Sequence, residues 1–147
     1  MFEKILVVCV GNICRSPTGE AALIKRLPNK TIASAGIASE KSGLVGKPAD
    51  ATAIEIAKNY DLDLSAHQSQ QLTRELAQQY DLILVMEKGH IRAVTDMIPE
   101  ARGKTMLFGH WQNQKDIPDP YRQSKELFEI VFKAIDLAAH GWAAKLK

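Results

Sequence analysis

The chain has 147 residues, of which 46% are hydrophobic, so it can bury the core of one domain but is too short to favour a second. Its 19 Lys and Arg against 17 Asp and Glu give a formal net charge of +2 without a basic stripe, which argues against a nucleic-acid partner. No apolar run approaches membrane-spanning length and the first residues lead directly into a strand, so we expect a cytoplasmic protein with no membrane insertion.

Both cysteines of the chain, Cys9 and Cys14, lie in one short segment near the N-terminus. Two cysteines this close together are not a disulfide framework, and a reducing compartment suits a functional thiol. The sequence has no Cys or His at zinc-finger spacing. We therefore expect neither a structural metal nor a cofactor.

The first predicted element is a strand over residues 5–8, because an unbroken apolar run is typical of a strand buried on both faces. A short loop from Cys9 to Arg15 follows, in which Gly11 is expected to relieve crowding where the backbone bends. Ser16 followed by Pro17 then predicts the N-cap and first turn of a helix that ends near residue 27. The loop is therefore expected at a helix N-terminus.

A tight loop at a helix N-terminus suits an anion, because its backbone N–H groups and the helix dipole point into one small hollow. Arg15 adds a planar guanidinium that can hold two oxygens of a tetrahedral oxyanion. Cys9 would lie beneath that anion, where positive surroundings favour the nucleophilic thiolate. The alternative is a small buried hydrophobe at Cys9, since Cys and Arg at this spacing also occur by chance. The strand before the loop and the helix after it favour the catalytic interpretation.

The middle of the chain predicts a second strand over residues 31–35, whose carboxyl end would open on the same side as the anion loop. Residues 37–48 are rich in Gly and Ser and predict a mobile surface loop that forms one wall of a cleft. Glu87 to His90 are interpreted as the solvated start of a helix. In the last helix, the expected buried apolar stripe is formed by Leu127, Ile130, Val131, Ala134, Ile135 and Ala138.

The remaining periodic segments complete an α/β pattern. Strands separated by helices predict a single-domain, doubly wound, four-stranded parallel sheet with helices on both faces. The segments concerned are strands over 81–86 and 104–108 and helices over 49–60, 72–79, 88–97 and 123–146.

Near the C-terminus, Asp119 stands between Pro118 and Pro120. The two prolines keep this stretch out of helix and sheet and fix the direction of the backbone around the aspartate. Asp-Pro is also a common turn dipeptide, so the motif indicates a functional aspartate only in combination with Cys9 and Arg15.

Residues 8–17, Val-Cys-Val-Gly-Asn-Ile-Cys-Arg-Ser-Pro, together with Asp119-Pro120-Tyr121, resemble the low-molecular-weight protein tyrosine phosphatases. The resemblance covers the whole chain, as one domain over 1–147. It is greatest to the bacterial branch associated with capsule and exopolysaccharide synthesis, on Gly-His-Trp at 109–111 and Asp-Pro-Tyr-Arg at 119–122.

The resemblance implies a protein-tyrosine phosphatase. Cys9 would attack phosphorus to form a cysteinyl-phosphate, Arg15 would bind the equatorial oxygens, and Asp119 would protonate the tyrosyl oxygen and then activate water. The other residues of the phosphate-binding loop are Val10, Gly11, Asn12, Ile13, Cys14 and Ser16. A reversible disulfide between Cys9 and Cys14 and a merely buried Cys14 thiol are both open alternatives.

The family resemblance also implies a supporting hydrogen-bond network and a cleft wall. His67 and Ser34 would join Asn12 and Ser16 in holding the loop in shape before the substrate arrives. Leu44 and Tyr121 are the expected cleft wall, with Leu44 in a region where the family often has an aromatic residue.

The expected partners are a phosphotyrosine protein substrate and phosphate or other oxyanions. The polysaccharide branch implies an autophosphorylated bacterial tyrosine kinase as that substrate and a monomeric enzyme. One alternative is an arsenate reductase on the same scaffold, although residues 15–147 hold none of the further cysteines that such chemistry needs. Another is a non-catalytic phosphotyrosine-binding module, which would not need both Cys9 and Asp119.

Overall fold

The computed structural model describes residues 2–147 and contains a four-stranded parallel sheet. Its strands are β1 (Lys4–Cys9), β2 (Thr31–Gly36), β3 (Leu82–Val85) and β4 (Thr105–Leu107), in the order β2-β1-β3-β4. The chain therefore builds outwards from β1 in both directions, which places a crevice at the carboxyl ends of β1 and β3. The predicted doubly wound parallel sheet is confirmed.

The predicted helices are all present, with ends within two residues of those expected. The structure adds a short 3₁₀ helix before β4 that the sequence did not predict. The helices are α1 (Arg15–Arg26), α2 (Ala51–Asn59), α3 (Arg74–Gln78), α4 (Lys88–Met97), the 3₁₀ helix (Pro99–Lys104) and α5 (Lys125–Leu146). Within residues 2–147, no helix is long and apolar enough to cross a membrane.

The core lies on both faces of the sheet, which explains why the sequence of β1 is apolar without alternation. Ile5, Val7 and Cys9 face the cluster formed with α1, α2 and α5. Leu6 and Val8 face the cluster formed with α3 and α4. All five side chains are at most 3% exposed, because helices cover the central strand on each side.

Helix α1 begins earlier than predicted. Its N-cap is Cys14 and Arg15 is its first residue, so Ser16 lies inside the first turn and its predicted capping role is wrong. Pro17 is the third helical residue, a position whose N–H has no intrahelical acceptor, so the proline is accommodated there. The earlier start frees the Ser16 hydroxyl for contacts inside the preceding loop.

Helix α1 also packs unusually close to the sheet at Gly19. A Cβ atom on this residue would lie 3.0 Å from Val7 Cγ1 and 3.2 Å from Phe108 Cζ. Glycine is therefore required by close approach, despite the roughly 1 kcal/mol that it costs a helix interior relative to alanine.

Helix α5 buries Val131, Ile135 and Ala138 of the predicted apolar stripe, each at most 3% exposed, and leaves Leu127 and Ala134 partly buried. Ile130 is 61% exposed, so its place in the buried stripe is wrong. Phe128 and Phe132 turn towards the core instead and are 6% and 5% exposed. Aromatic side chains bury more apolar area than isoleucine, which explains why this face of the helix is the one that packs.

Candidate active site

A cleft of about 290 Å³ opens at the carboxyl end of the sheet and brings the three expected catalytic residues together. Cys9 ends β1, Arg15 begins α1, and Asp119 lies in the loop between β4 and α5. The cleft is lined by Cys9, Val10, Gly11, Ile13, Cys14, Arg15, Ser42, Leu44, Asp119, Tyr121 and Arg122.

The sulfur of Cys9 lies at the base of this cleft, where the residue is only 3% exposed. The backbone N–H of Asn12 donates to it at 3.2 Å. The hydroxyl of Ser16 lies 3.0 Å from the same sulfur. When the sulfur is a thiolate, the hydroxyl donates, so two hydrogen bonds stabilise the negative charge.

Asn12 gives the loop its bend. Its φ is 59°, so it occupies the left-handed region, a conformation that the sequence did not predict at this position. The side-chain Nδ2 donates to Ser16 Oγ at 2.7 Å and to Ser34 Oγ at 2.9 Å. The side-chain Oδ1 accepts from the backbone N–H of Gln70 at 2.9 Å. These bonds hold an otherwise unfavourable backbone conformation in place.

The network continues behind the loop, away from the cleft. His67 Nε2 lies 2.6 Å from the carbonyl oxygen of Asn12, and the Ser34 hydroxyl donates to Glu20 Oε1 at 2.5 Å. Gln70 also donates through Nε2 to the Ser34 carbonyl at 2.9 Å. The structure thus places His67 and Ser34 against the loop and outside the cleft lining.

Gly11 provides space for the neighbouring wall of the cleft. A Cβ on this residue would lie 2.9 Å from Leu44 Cδ1. Its carbonyl accepts from the hydroxyls of Ser39 and Ser69, each at 2.9 Å. Residues 37–48 form turns without a helix or strand, as expected, but these bonds tie them to the phosphate-binding loop, and Ser39 is fully buried.

The guanidinium of Arg15 is anchored from behind, and its side chain is 2% exposed. Nη1 donates to Glu87 Oε2 at 2.6 Å and to the carbonyl oxygen of Ile117 at 2.8 Å. A guanidinium has five N–H donors, so Nε and Nη2 remain for an oxyanion. Glu87 is the N-cap of α4, as expected for a helix start, but its carboxylate is not simply solvated, because it pairs with Arg15.

His90 lies behind the pair of Arg15 and Glu87. Its Nε2 is 3.7 Å from Glu87 Oε2, and its side chain is 12% exposed. Within residues 2–147, its buried Nδ1 has no hydrogen-bond partner. Burial, followed by the nearby Arg15 charge, lowers the pKa of His90 below its usual value.

Asp119 stands at the mouth of the cleft with half of its side chain exposed. Oδ1 accepts from the backbone N–H of Tyr121 at 3.0 Å, which fixes the carboxylate over its own turn. Oδ2 lies 3.8 Å from Arg15 Nη2. The carboxylate is therefore both reachable by a substrate and held near the anion site, and the side chains of Tyr121 and Leu44 line the cleft beside it.

Cys14 differs from Cys9 although both thiols are free. Burial, reinforced by the charge of Asp50, raises the pKa of the Cys14 thiol, so it stays protonated at neutral pH. The disulfide between the two cysteines stays a prediction. Across residues 2–147, no three His, Cys, Asp or Glu side chains are grouped so as to hold a metal ion.

Comparison with known proteins assigns the family. A family model for low molecular weight phosphotyrosine protein phosphatases matches residues 4–147. The low molecular weight protein-tyrosine-phosphatase Etp of Escherichia coli (strain K12) is 54% identical, and the match covers 99% of this chain and 95% of Etp. A solved structure of Vibrio vulnificus Wzb in complex with benzylphosphonate is 70% identical, has a TM-score of 0.97, and 99% of each chain is covered. The YwlE arginine phosphatase from Geobacillus stearothermophilus is 30% identical, with a TM-score of 0.89 and coverage of 99% of this chain and 93% of that one. The chain therefore belongs to the low-molecular-weight phosphotyrosine protein phosphatase family.

Proposed function

We infer that this protein is a protein-tyrosine phosphatase that hydrolyses phosphotyrosine through a cysteinyl-phosphate intermediate. The observation that carries the proposal is the position of the Cys9 sulfur, which accepts from a loop N–H at 3.2 Å and lies 3.0 Å from a hydroxyl in a cleft closed by Arg15. Such a site stabilises both a thiolate and a tetrahedral oxyanion.

The proposed first step transfers the phosphoryl group from tyrosine to Cys9. The thiolate forms a sulfur–phosphorus bond in line with the departing oxygen, and the bond from phosphorus to the tyrosyl oxygen breaks. Asp119, protonated, gives its proton to that oxygen, which avoids release of a basic phenolate. Arg15 and the loop N–H groups bind the equatorial oxygens throughout.

The second step releases phosphate. Asp119, now ionised, takes a proton from water as the water oxygen bonds to phosphorus and the sulfur–phosphorus bond breaks. The products are inorganic phosphate, the Cys9 thiolate and protonated Asp119, so the enzyme is regenerated and one water molecule is consumed.

The sequence identities to known relatives favour phosphotyrosine over phosphoarginine as the substrate. Identity is 54% to the tyrosine phosphatase Etp and 70% to Wzb, against 30% to the arginine phosphatase YwlE. The Wzb structure holds benzylphosphonate, which carries an aromatic ring next to a phosphonate. The side chains of Leu44 and Tyr121 would contact such a ring in this cleft.

For the biological substrate we propose an autophosphorylated bacterial tyrosine kinase that controls capsule or exopolysaccharide synthesis, met in the cytoplasm by a monomeric enzyme. The support is the resemblance of residues 8–17 and 119–122 to that branch, together with relatives named Wzb and Etp.

The test is turnover of a phosphotyrosine peptide by Cys9→Ser and Asp119→Ala. We expect Cys9→Ser to retain binding of inorganic phosphate without turnover, because a hydroxyl is a far weaker nucleophile than a thiolate. We expect Asp119→Ala to lower kcat by about two to four decades. The loss should be smaller with p-nitrophenyl phosphate, whose leaving group is less basic and needs protonation less.

Two further assays separate the competing functions. Ordinary turnover by either variant would remove that residue from its proposed role. Reduction of arsenate by the native chain, or faster hydrolysis of a phosphoarginine peptide than of the phosphotyrosine peptide, would replace the proposed reaction. Binding of phosphotyrosine without turnover by the native chain would indicate a recognition module.

A further inference from the structure

Arg122 is a cationic side chain at the cleft mouth that the proposed reaction does not use. Among the residues that line the cleft, it is the one exposed cation, because Arg15 is buried and anchored by Glu87. Arg122 takes part in none of the salt bridges formed within residues 2–147. Its guanidinium is therefore available to a ligand.

The backbone at Arg122 is unusual for a long side chain. Residues 120–123 form a turn closed by the Gln123 N–H, which donates to the Pro120 carbonyl at 2.8 Å. Arg122 is the third residue of this turn and has a φ of 62°. Glycine or asparagine is normally favoured where that position has positive φ, and strained backbone positions cluster at functional sites.

The guanidinium is also held beside the expected aromatic wall. The Cζ atom of Arg122 lies 5.3 Å from the centre of the Tyr121 ring, within the range of a cation–π contact. A phosphotyrosine ring that packs against Tyr121 would bring the neighbouring residues of its peptide close to this charge. This contact already restricts the Arg122 side chain in the free enzyme, so the side chain loses less conformational entropy when it binds a substrate.

We propose that Arg122 is a specificity-determining residue that binds an anionic group adjacent to the phosphotyrosine of the substrate. The group is a carboxylate side chain or a second phosphate, either of which a guanidinium binds through paired N–H donors. The inference rests on the proposed tyrosine phosphatase activity and adds a preference for substrates with local negative charge.

The experiment compares kcat/KM of each enzyme on three phosphotyrosine peptides of equal length. One has alanine beside the phosphotyrosine, one has glutamate, and one has a second phosphotyrosine. The readout is the ratio of the anionic to the alanine peptide, because any effect of a variant on the shared chemistry cancels in it. The variants are Arg122→Asn, Arg122→Lys and, as a surface-charge control, Lys133→Gln on α5, where the lysine side chain is 65% exposed.

We expect the native enzyme to prefer the glutamate peptide about threefold and the doubly phosphorylated peptide about tenfold, with both ratios falling as salt is added. Arg122→Asn should bring both ratios close to one, and Arg122→Lys should retain part of each. Asparagine suits positive φ, so this variant should melt no lower than the native chain, which separates lost recognition from lost folding. Lys133→Gln should keep the native ratios.

Equal ratios in the native enzyme and Arg122→Asn, or a native ratio near one for both anionic peptides, would overturn the inference. A preference confined to one anionic peptide would identify the source of the charge as carboxylate or phosphate. Failure of the native enzyme to hydrolyse any of the three peptides would instead refute the proposed function, and the inference with it.

Discussion

At the scale of single residues, the ion pair of Arg15 with Glu87 decides how the phosphate-binding guanidinium is presented. The Nη1 atom of Arg15 is held by Glu87 at 2.6 Å and by the Ile117 carbonyl at 2.8 Å. Both bonds are made by Nη1, so they fix the direction in which Nε and Nη2 point. Pre-positioned donors contribute most where charge changes during the reaction. Glu87 is therefore a positioning residue, which acts through Arg15.

We predict that Glu87→Ala lowers kcat/KM for a phosphotyrosine peptide by about tenfold or more, from the roughly 1.5–3 kcal/mol of a charge-assisted hydrogen bond. Most of the loss should appear in kcat, because a loosely held Arg15 still attracts the substrate but stabilises the transition state less well. Steady-state kinetics of Glu87→Ala and Glu87→Gln check this, with circular dichroism as the control for folding.

Glu87→Gln should recover part of the activity, since its amide oxygen can still accept from Arg15 Nη1. Native kcat/KM in both variants would show that the Ile117 carbonyl alone suffices to orient the guanidinium.

At the residue level, the sequence could group residues that recognisable motifs mark, whose catalytic roles stay predictions, but it could not reveal a residue whose only signal is a distant partner. Cys9, Arg15 and Asp119 were predicted to share a site, and the structure brings them to one cleft. Glu87 was missed because its partner lies 72 positions away, and an acidic residue before a helix looks like an ordinary helix start. The signal available was its place directly after a buried strand, at the sheet edge where the loop was expected.

At the scale of elements, the close contact of α1 with the sheet sets the height of the phosphate-binding loop above the strands. Gly19 allows this contact, since a Cβ would meet Val7 at 3.0 Å and Phe108 at 3.2 Å. Both neighbours are fully buried, so neither can move aside freely.

We predict that Gly19→Ala destabilises the protein by up to about 2 kcal/mol, because the roughly 1 kcal/mol gained in helix propensity offsets only part of an overpacking cost of about 1–3 kcal/mol. Gly89→Ala in α4 is the matched control, since no atom of residues 2–147 beyond its own neighbours lies within 4 Å of the added Cβ. That variant should be as stable as the native chain or more stable by up to about 1 kcal/mol. Urea unfolding of the two variants measures both changes in the free energy of unfolding. Equal changes would show that α1 moves away from the sheet without an energetic cost.

Elements were predictable from the sequence wherever burial is complete on both faces. β1 is apolar at every position after Lys4 and β3 at every position, which marks central strands of a parallel sheet. In α5, by contrast, apolar residues occupy more than one face, and periodicity could not decide between Ile130 and the aromatic residues Phe128 and Phe132. Only packing against the sheet and α1 selects the buried face.

At the scale of the whole molecule, the titration of His90 links global stability to pH. Burial and the neighbouring Arg15 lower the pKa of this residue in the folded state, so the unfolded chain binds a proton at a higher pH than the folded one. The contribution of neutral His90 to the free energy of unfolding is therefore fully present above the unfolded-state pKa of about 6.5. This contribution is lost as the pH falls towards the pKa of His90 in the folded state.

We predict that the free energy of unfolding declines between about pH 7 and pH 5, and that His90→Gln shows a shallower decline over this range. Urea unfolding at several pH values gives the two curves, and the other three histidines, which the variant keeps, serve as the internal control. Parallel curves would show that His90 is protonated as readily in the folded chain as in the unfolded one.

The hydrogen bond from Arg15 to the Ile117 carbonyl joins groups that are 102 positions apart in the chain. Such a closure forms only after both ends of the polypeptide have collapsed onto the same sheet, which is slow in topologies dominated by non-local pairing. During refolding from denaturant, helical signal should therefore return before enzymatic turnover does. The recovery of enzymatic activity would then report the last step in formation of the native state.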